Sequence, residues 1–231
     1  MKSILVVGSA PCLYDDVERA MKLRPFASMF LVNGACTAFE NVEHVLAGHE
    51  EKAEFFQRER KAKFPNARPW ELHGCTWEHR RAAMKQLCPS VTQWWPIDYM
   101  LHATSASKAI KIALTGLGYD EAILCGCPMD GGGYFPGEAV VPHETACYRV
   151  GHDRETGTKA DGKLCGGRVI TPPHKGEYST QPGAPMLTQE TKIIRLYRTR
   201  FKELAETPLF KHVYSMSGFT RDIVGEPPTR T

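Results

Sequence analysis

No run of about 18 apolar residues occurs in the 231-residue chain, so a membrane-spanning helix is not expected. Basic residues exceed acidic ones by only +3, too small an excess to imply a nucleic-acid partner. The cluster Arg58-Glu59-Arg60-Lys61 mixes signs, 195–202 is basic, and both read as solvated helix faces. Neither the G-x-G-x-x-G nor the Walker pattern is present, which removes the usual signatures of dinucleotide and triphosphate sites. No repeat and no clear linker appear, so one domain over 1–231 is expected. The apolar stretch in residues 1–8 breaks at glycine, too soon for a signal peptide, and reads as a strand. The eight cysteines are scattered in a chain too large to need stapling. Without an export signal they are expected to be reduced thiols in the cytoplasm.

What is present is an alternation of short aliphatic runs with helical periodicity. Residues 4–7 form a β-branched and aliphatic run, followed by a turn at 8–11 and a helix at 15–23 with Val17, Ala20 and Met21 inward. Further strands are read at 28–32, ending at Asn33-Gly34, and at 44–49. A charged helix follows at 50–63, with Ala53, Phe55 and Phe56 inward. The stretch 64–99 carries Trp70, Trp77, Trp94 and Trp95 and one or two short strands. Thr104-Ser105-Ala106-Ser107 caps a helix through Leu117 that turns Ala109, Ile112 and Ala113 inward, and Gly118 closes it. A strand at 121–126, a long Gly-, Pro-, His- and Thr-rich loop at about 131–187, a helix at 188–205 and a strand at 210–215 complete the chain. This order predicts an α/β, Rossmann-like, mostly parallel sheet with helices on both faces and a lid-like insert. Ligands bind such sheets outside the carboxyl ends of the strands. The loops that matter therefore begin at Gly8, Asn33, His49, Gly126 and Ser215.

Several residues at those ends suit a nucleotide-type ligand. Gly8 permits close backbone approach, and Ser9 and Ala10 lead into a helix whose N-terminus attracts anions. Asn33 offers a donor and an acceptor to a base or a sugar hydroxyl, unless Asn-Gly merely turns the chain. Thr104 and Ser105 open a second helix with the same dipole logic. The stretch after Gly126 adds Asp130, for a metal or a ribose, and Tyr134, for a phosphate. In the long loop, His143 and His174 are candidates for a general base. With Cys147, His152, Cys165 and the Cys125-x-Cys127 pair they also offer zinc ligands, although their spacing fits no standard finger.

Three segments carry a resemblance to a known family. Residues 4–13 are similar to the strand–Gly–Asn–Gly–Pro–Ser–Leu start of the Campylobacter-type bacterial sialyltransferases and their MptE-like (archaeal pterin diphosphokinase) and phage-encoded relatives. Val32-Asn33 is similar to the asparagine after that family's second strand. Residues 104–126 resemble its Thr-Ser-Gly, helix, Leu-Gly-Tyr, strand, Gly unit. The resemblance implies a sugar-nucleotide cleft. Gly8 and Ser9 would line the nucleotide, Asn33 would contact base or ribose, Thr104 and Ser105 would sit near the sugar, and Tyr134 would contact a phosphate. The chain departs from the pattern at Ser9, where the family has asparagine, and at Pro128, where it has an acid. It also lacks a histidine in 181–187, just before the late helix, with His174 the nearest upstream candidate.

The resulting expectation is a cytoplasmic transferase that takes a group, a glycosyl group as first choice, from a nucleotide-activated donor. One alternative is a pterin or nucleotide diphosphotransferase with Mg²⁺ on Asp130 or another acid. Another is a phage-encoded nucleotide-binding protein without turnover. A nucleotide or nucleotide sugar is the expected partner, and assembly into a homo-oligomer stays open.

Overall fold

A computed structural model describes residues 1–48, 52–97, 104–130 and 192–229, with the side chains of 192–194 excepted. Strands β1 (Ser3–Val7), β2 (Ser28–Val32), β3 (His44–Ala47), β4 (Glu71–Thr76), β5 (Gln93–Pro96), β6 (Glu121–Cys125) and β7 (Val213–Ser215) form one sheet in the order β5-β4-β3-β2-β1-β6-β7. Every pairing is parallel. The expected neighbours are neighbours: Val6 lies opposite Phe30 on one side and Leu124 on the other. Strands β1 and β6 are buried along their whole length, as a central parallel strand covered on both faces must be.

The helices divide between the two faces. Helices α1 (Leu13–Leu23), α2 (Ala53–Lys63) and α3 (Arg81–Leu87) cover the face that presents Leu5, Val7, Leu31 and Ile123. On the other face, Ile4, Val6, Phe30 and Leu124 pack against α4 (Ser105–Lys111) and α5 (Lys192–Ala205). A last short helix, α6 (Gly218–Val224), follows β7. No helix among the described residues is long and apolar enough to cross a membrane.

Several expectations change in detail. The helix expected at 15–23 begins at Leu13, which fixes its buried stripe as Leu13, Asp16, Val17 and Ala20. Met21 then falls well off the stripe and is 54% exposed rather than inward. The helix expected through Leu117 changes at Ile112–Gly116 into a π-helical turn, with Ile112 and Ala113 still buried and Gly118 beyond it at φ +70°. The strand expected at 210–215 is shorter, because Pro208–His212 forms a 3-10 turn before β7.

The solvated reading of Arg60 fails most plainly, since Arg60 is fully buried. Its guanidinium donates to the carbonyls of Cys36 (2.5 Å), Phe39 (2.8 Å) and Glu40 (2.6 Å). It also lies over the rings of Phe64 and Trp70. A charge in the last turn of α2 is thus used to hold the turn that follows β2.

Candidate functional site

The chain leaves β1 through α1 on one face, whereas the segments after β6 return through α5 on the other. A parallel sheet opens a crevice where neighbouring strands diverge in this way. By that rule the candidate crevice belongs at the carboxyl ends of β1 and β6, beside Gly8 and Gly126.

The turns on its two sides are joined. Gly8 N–H donates to the Cys125 carbonyl (2.8 Å), and Ala10 N–H donates to the Gly126 carbonyl (3.1 Å). A Cβ on Gly8 would stand 2.5 Å from Cys127 Sγ and 2.6 Å from the Gly126 carbonyl oxygen. Gly126 itself holds φ +62°, and a Cβ there would meet Leu13 and the Gly8 carbonyl. Both glycines are therefore required by the contact between the two turns. Ser9 and Ala10 are half-buried and face the rim, while Pro11 is exposed.

Asp16 underlies this crevice and was not singled out from the sequence. The side chain is 2% exposed. Its Oδ2 accepts from Gly126 N–H (2.8 Å) and from Ser217 Oγ–H (2.6 Å), with Cys12 Sγ at 3.5 Å and Arg19 4.0 Å from Oδ1. One carboxylate thus ties α1 to the turns after β6 and β7. Thr220 donates to the Cys127 carbonyl (2.9 Å), and Arg198 donates to the Met129 carbonyl (2.9 Å) while stacked on Phe219. The sequence signal for Asp16 was an acid on an apolar helical stripe, at the i+3 position from Leu13.

A second group gathers at the ends of β2 and β3. Asn33 is left-handed at φ +52°, and its Oδ1 accepts from Gly48 N–H (2.8 Å). Ser105 Oγ lies against Gly48, where a Cβ would collide with it. Lys108 Nζ reaches the Gly48 carbonyl at 2.9 Å. Thr104 forms the expected cap as a reciprocal pair: Ser107 N–H donates to its hydroxyl (3.2 Å), and Ser107 Oγ accepts from Thr104 N–H (3.0 Å). The structure therefore brings Asn33 and Ser105 together around Gly48, with Thr104 adjacent. An apolar hollow of about 140 Å³ opens beyond them, between Trp95, Ile97, Lys108 and Ile112.

Asp130 is exposed, and its charge acts on Cys12 at the start of α1. Burial pushes the Cys12 thiol up to about 11 and the Cys127 thiol up to about 12, so neither is poised as a thiolate nucleophile. Cys125 packs on the α1 face and Cys127 against the opposite face, because Gly126 breaks the alternation between them. That geometry disfavours the Cys125-x-Cys127 pair as joint zinc ligands. Tyr134, His143, Cys147, His152, Cys165 and His174 lie outside the described residues, as do His49 and the expected lid. No family model matches the chain, and no curated protein or solved structure matches it either.

Proposed function

We infer that the chain binds a nucleotide-type ligand at the carboxyl ends of β1, β2 and β6 and transfers the group which that nucleotide activates, a glycosyl group being the first choice. The observation that carries this reading is the topological switch point between β1 and β6, with the half-buried Ser9 and Ala10 beside it and the Asn33–Gly48–Ser105 cluster at the ends of the neighbouring strands. The motif resemblance in 4–13, 32–33 and 104–126 supports a sugar nucleotide as the ligand class. Asn33 spends its carbonyl on Gly48, so its amide N–H groups remain to address an acceptor on the ligand. Positioning and charge stabilisation would come from this frame, with a histidine of the long loop, His174 or His143, as base. The diphosphotransferase alternative draws on the exposed Asp130, in the turn after β6, as a Mg²⁺ ligand.

The test is calorimetric and thermal-shift titration with CMP, CMP-sugars and other nucleotides, with and without Mg²⁺. Binding of a nucleotide that Asn33→Ala weakens by about 1–3 kcal/mol, together with donor turnover lost in His174→Ala, supports the reading. Strict Mg²⁺ dependence that Asp130→Asn removes selects the diphosphotransferase. Binding without any turnover leaves a binding protein, and wild-type affinity in Asn33→Ala places the ligand elsewhere.

A further inference from the structure

We propose that His44, Glu71 and His73 form a binding site for a zinc-type divalent cation at the amino-terminal edge of the sheet, remote from the crevice. His44 opens β3 and is the register partner of Glu71, the first residue of β4. His73 follows Glu71 by two positions, so its side chain returns to the same face of the strand. The three donor atoms form a nearly equilateral triangle. His44 Nδ1 lies 3.1 Å from His73 Nε2 and 3.3 Å from Glu71 Oε2, and the third side, His73 Nε2 to Glu71 Oε2, is 3.6 Å. Tetrahedral zinc ligands at about 2.0–2.1 Å from the ion stand about 3.3–3.4 Å apart. An ion at that distance from all three atoms would lie about 0.7 Å off their plane, the height of a tetrahedron's centre above its face.

The surroundings suit such an ion. Two imidazoles and a carboxylate are a donor set for zinc and its neighbours rather than for magnesium or calcium. Glu71 is 47% exposed and gives the ion a way in, whereas the His73 side chain is fully buried. Tyr119 Oη stands 3.4 Å from His44 Nε2, placed to accept the proton on the ring nitrogen that faces away from the ion. The nearby charges are Glu43, which favours a cation at His44, and Lys2, which opposes it.

Trp95 sets the cost of loading. Its indole Nε1–H donates to His73 Nδ1 at 2.9 Å. An indole nitrogen only donates, so the metal-free neutral ring carries its proton on Nε2, facing His44. When the ion takes the Nε2 lone pair, that proton moves to Nδ1 of the same ring and the indole turns away from it. Trp95 thus competes with the metal for one tautomer of His73.

The experiment is equilibrium dialysis of the full chain against Zn²⁺ with metal analysis, repeated with Co²⁺ and read by its visible spectrum. The expected result is one ion at this site, with tetrahedral d–d bands and no thiolate charge-transfer band assignable to it. Glu71→Gln, at an exposed position, should weaken binding by more than about 100-fold while leaving the far-ultraviolet circular dichroism unchanged. Trp95→Phe should tighten binding by about tenfold, because the competing donor is gone. Failure of the folded wild-type chain to bind either ion at micromolar concentration overturns the proposal. So does binding that survives Glu71→Gln and His44→Ala unchanged, which would place the ion on cysteines elsewhere, or binding that Trp95→Phe leaves unchanged or weakens.

Discussion

Replacing Arg60 by leucine keeps the apolar contact with Phe64 and Trp70 but strips the donors from the carbonyls of Cys36, Phe39 and Glu40. Each of these bonds joins a charged donor to a neutral acceptor, a class worth about 1.5–3 kcal/mol apiece. Part of that value returns, because the buried guanidinium no longer has to be desolvated and water has its best access at Glu40, the most exposed of the three acceptor residues. The net loss should be about 3–5 kcal/mol. With a urea slope of about 2.5–3 kcal/mol/M for a chain of this size, the denaturation midpoint should fall by roughly 1–2 M. Arg60→Lys should recover only part of the loss, since one ammonium cannot reproduce the guanidinium fork across three acceptors. A leucine variant within about 1 kcal/mol of the wild type, or a lysine variant equal to it, would refute the idea that this side chain holds the turn.

Burial pushes His73 down to about 3, with the neighbouring His44 adding to the effect, and burial lowers His44 as well. The unfolded chain therefore binds these protons first, and stability in chelator should fall as the pH drops from about 6.5 toward 3. For His73 the loss is about 2 kcal/mol between pH 7 and pH 5. Urea midpoints across that range should show the slope, and His73→Gln should flatten it; equal slopes in both proteins would count against it. Gly8→Ala should destabilise the fold by about 1–3 kcal/mol through overpacking against Cys127 and Gly126, with or without ligand. Adding Cys127→Ala should recover part of that loss, and a Gly8→Ala protein as stable as wild type would show that the two turns separate freely.

The central strands were legible because burial on both faces writes them as plain aliphatic runs. Val-Leu-Ala after His44 and Ile-Leu-Cys after Ala122 need no alternation to be recognised. Strands β4 and β5 were harder because Glu71–Thr76 and Gln93–Pro96 carry charge, glycine, tryptophan and proline in place of that pattern. A histidine within a strand also hides its purpose. Nothing in the spacing of His44, Glu71 and His73 says that residues 27 positions apart meet, since this depends on the β3–β4 register. Arg60 was misread for a related reason. Its neighbours Arg58, Glu59 and Lys61 are not fully buried, and a mixed-sign run looks alike whether or not one member points inward.

Asp16 changes how the crevice should be viewed. A helix N-terminus offers an anion site because its N–H groups and dipole carry positive charge. In α1 that charge already faces Asp15 and Asp16 in the first turn, and the buried Asp16 carboxylate also takes the Gly126 N–H and the Ser217 hydroxyl. A phosphate brought deep between β1 and β6 would meet this carboxylate as well as the dipole. On the proposed reading, phosphate would be better placed at the half-buried Ser9 and Ala10, or where Lys108 brings a cation to Gly48. A nucleotide lying across the carboxyl ends from Asn33 toward Ser9 meets both conditions. On the proposed reading it would leave the base or sugar near the amide and the charge near the rim, and the internal carboxylate would favour that orientation.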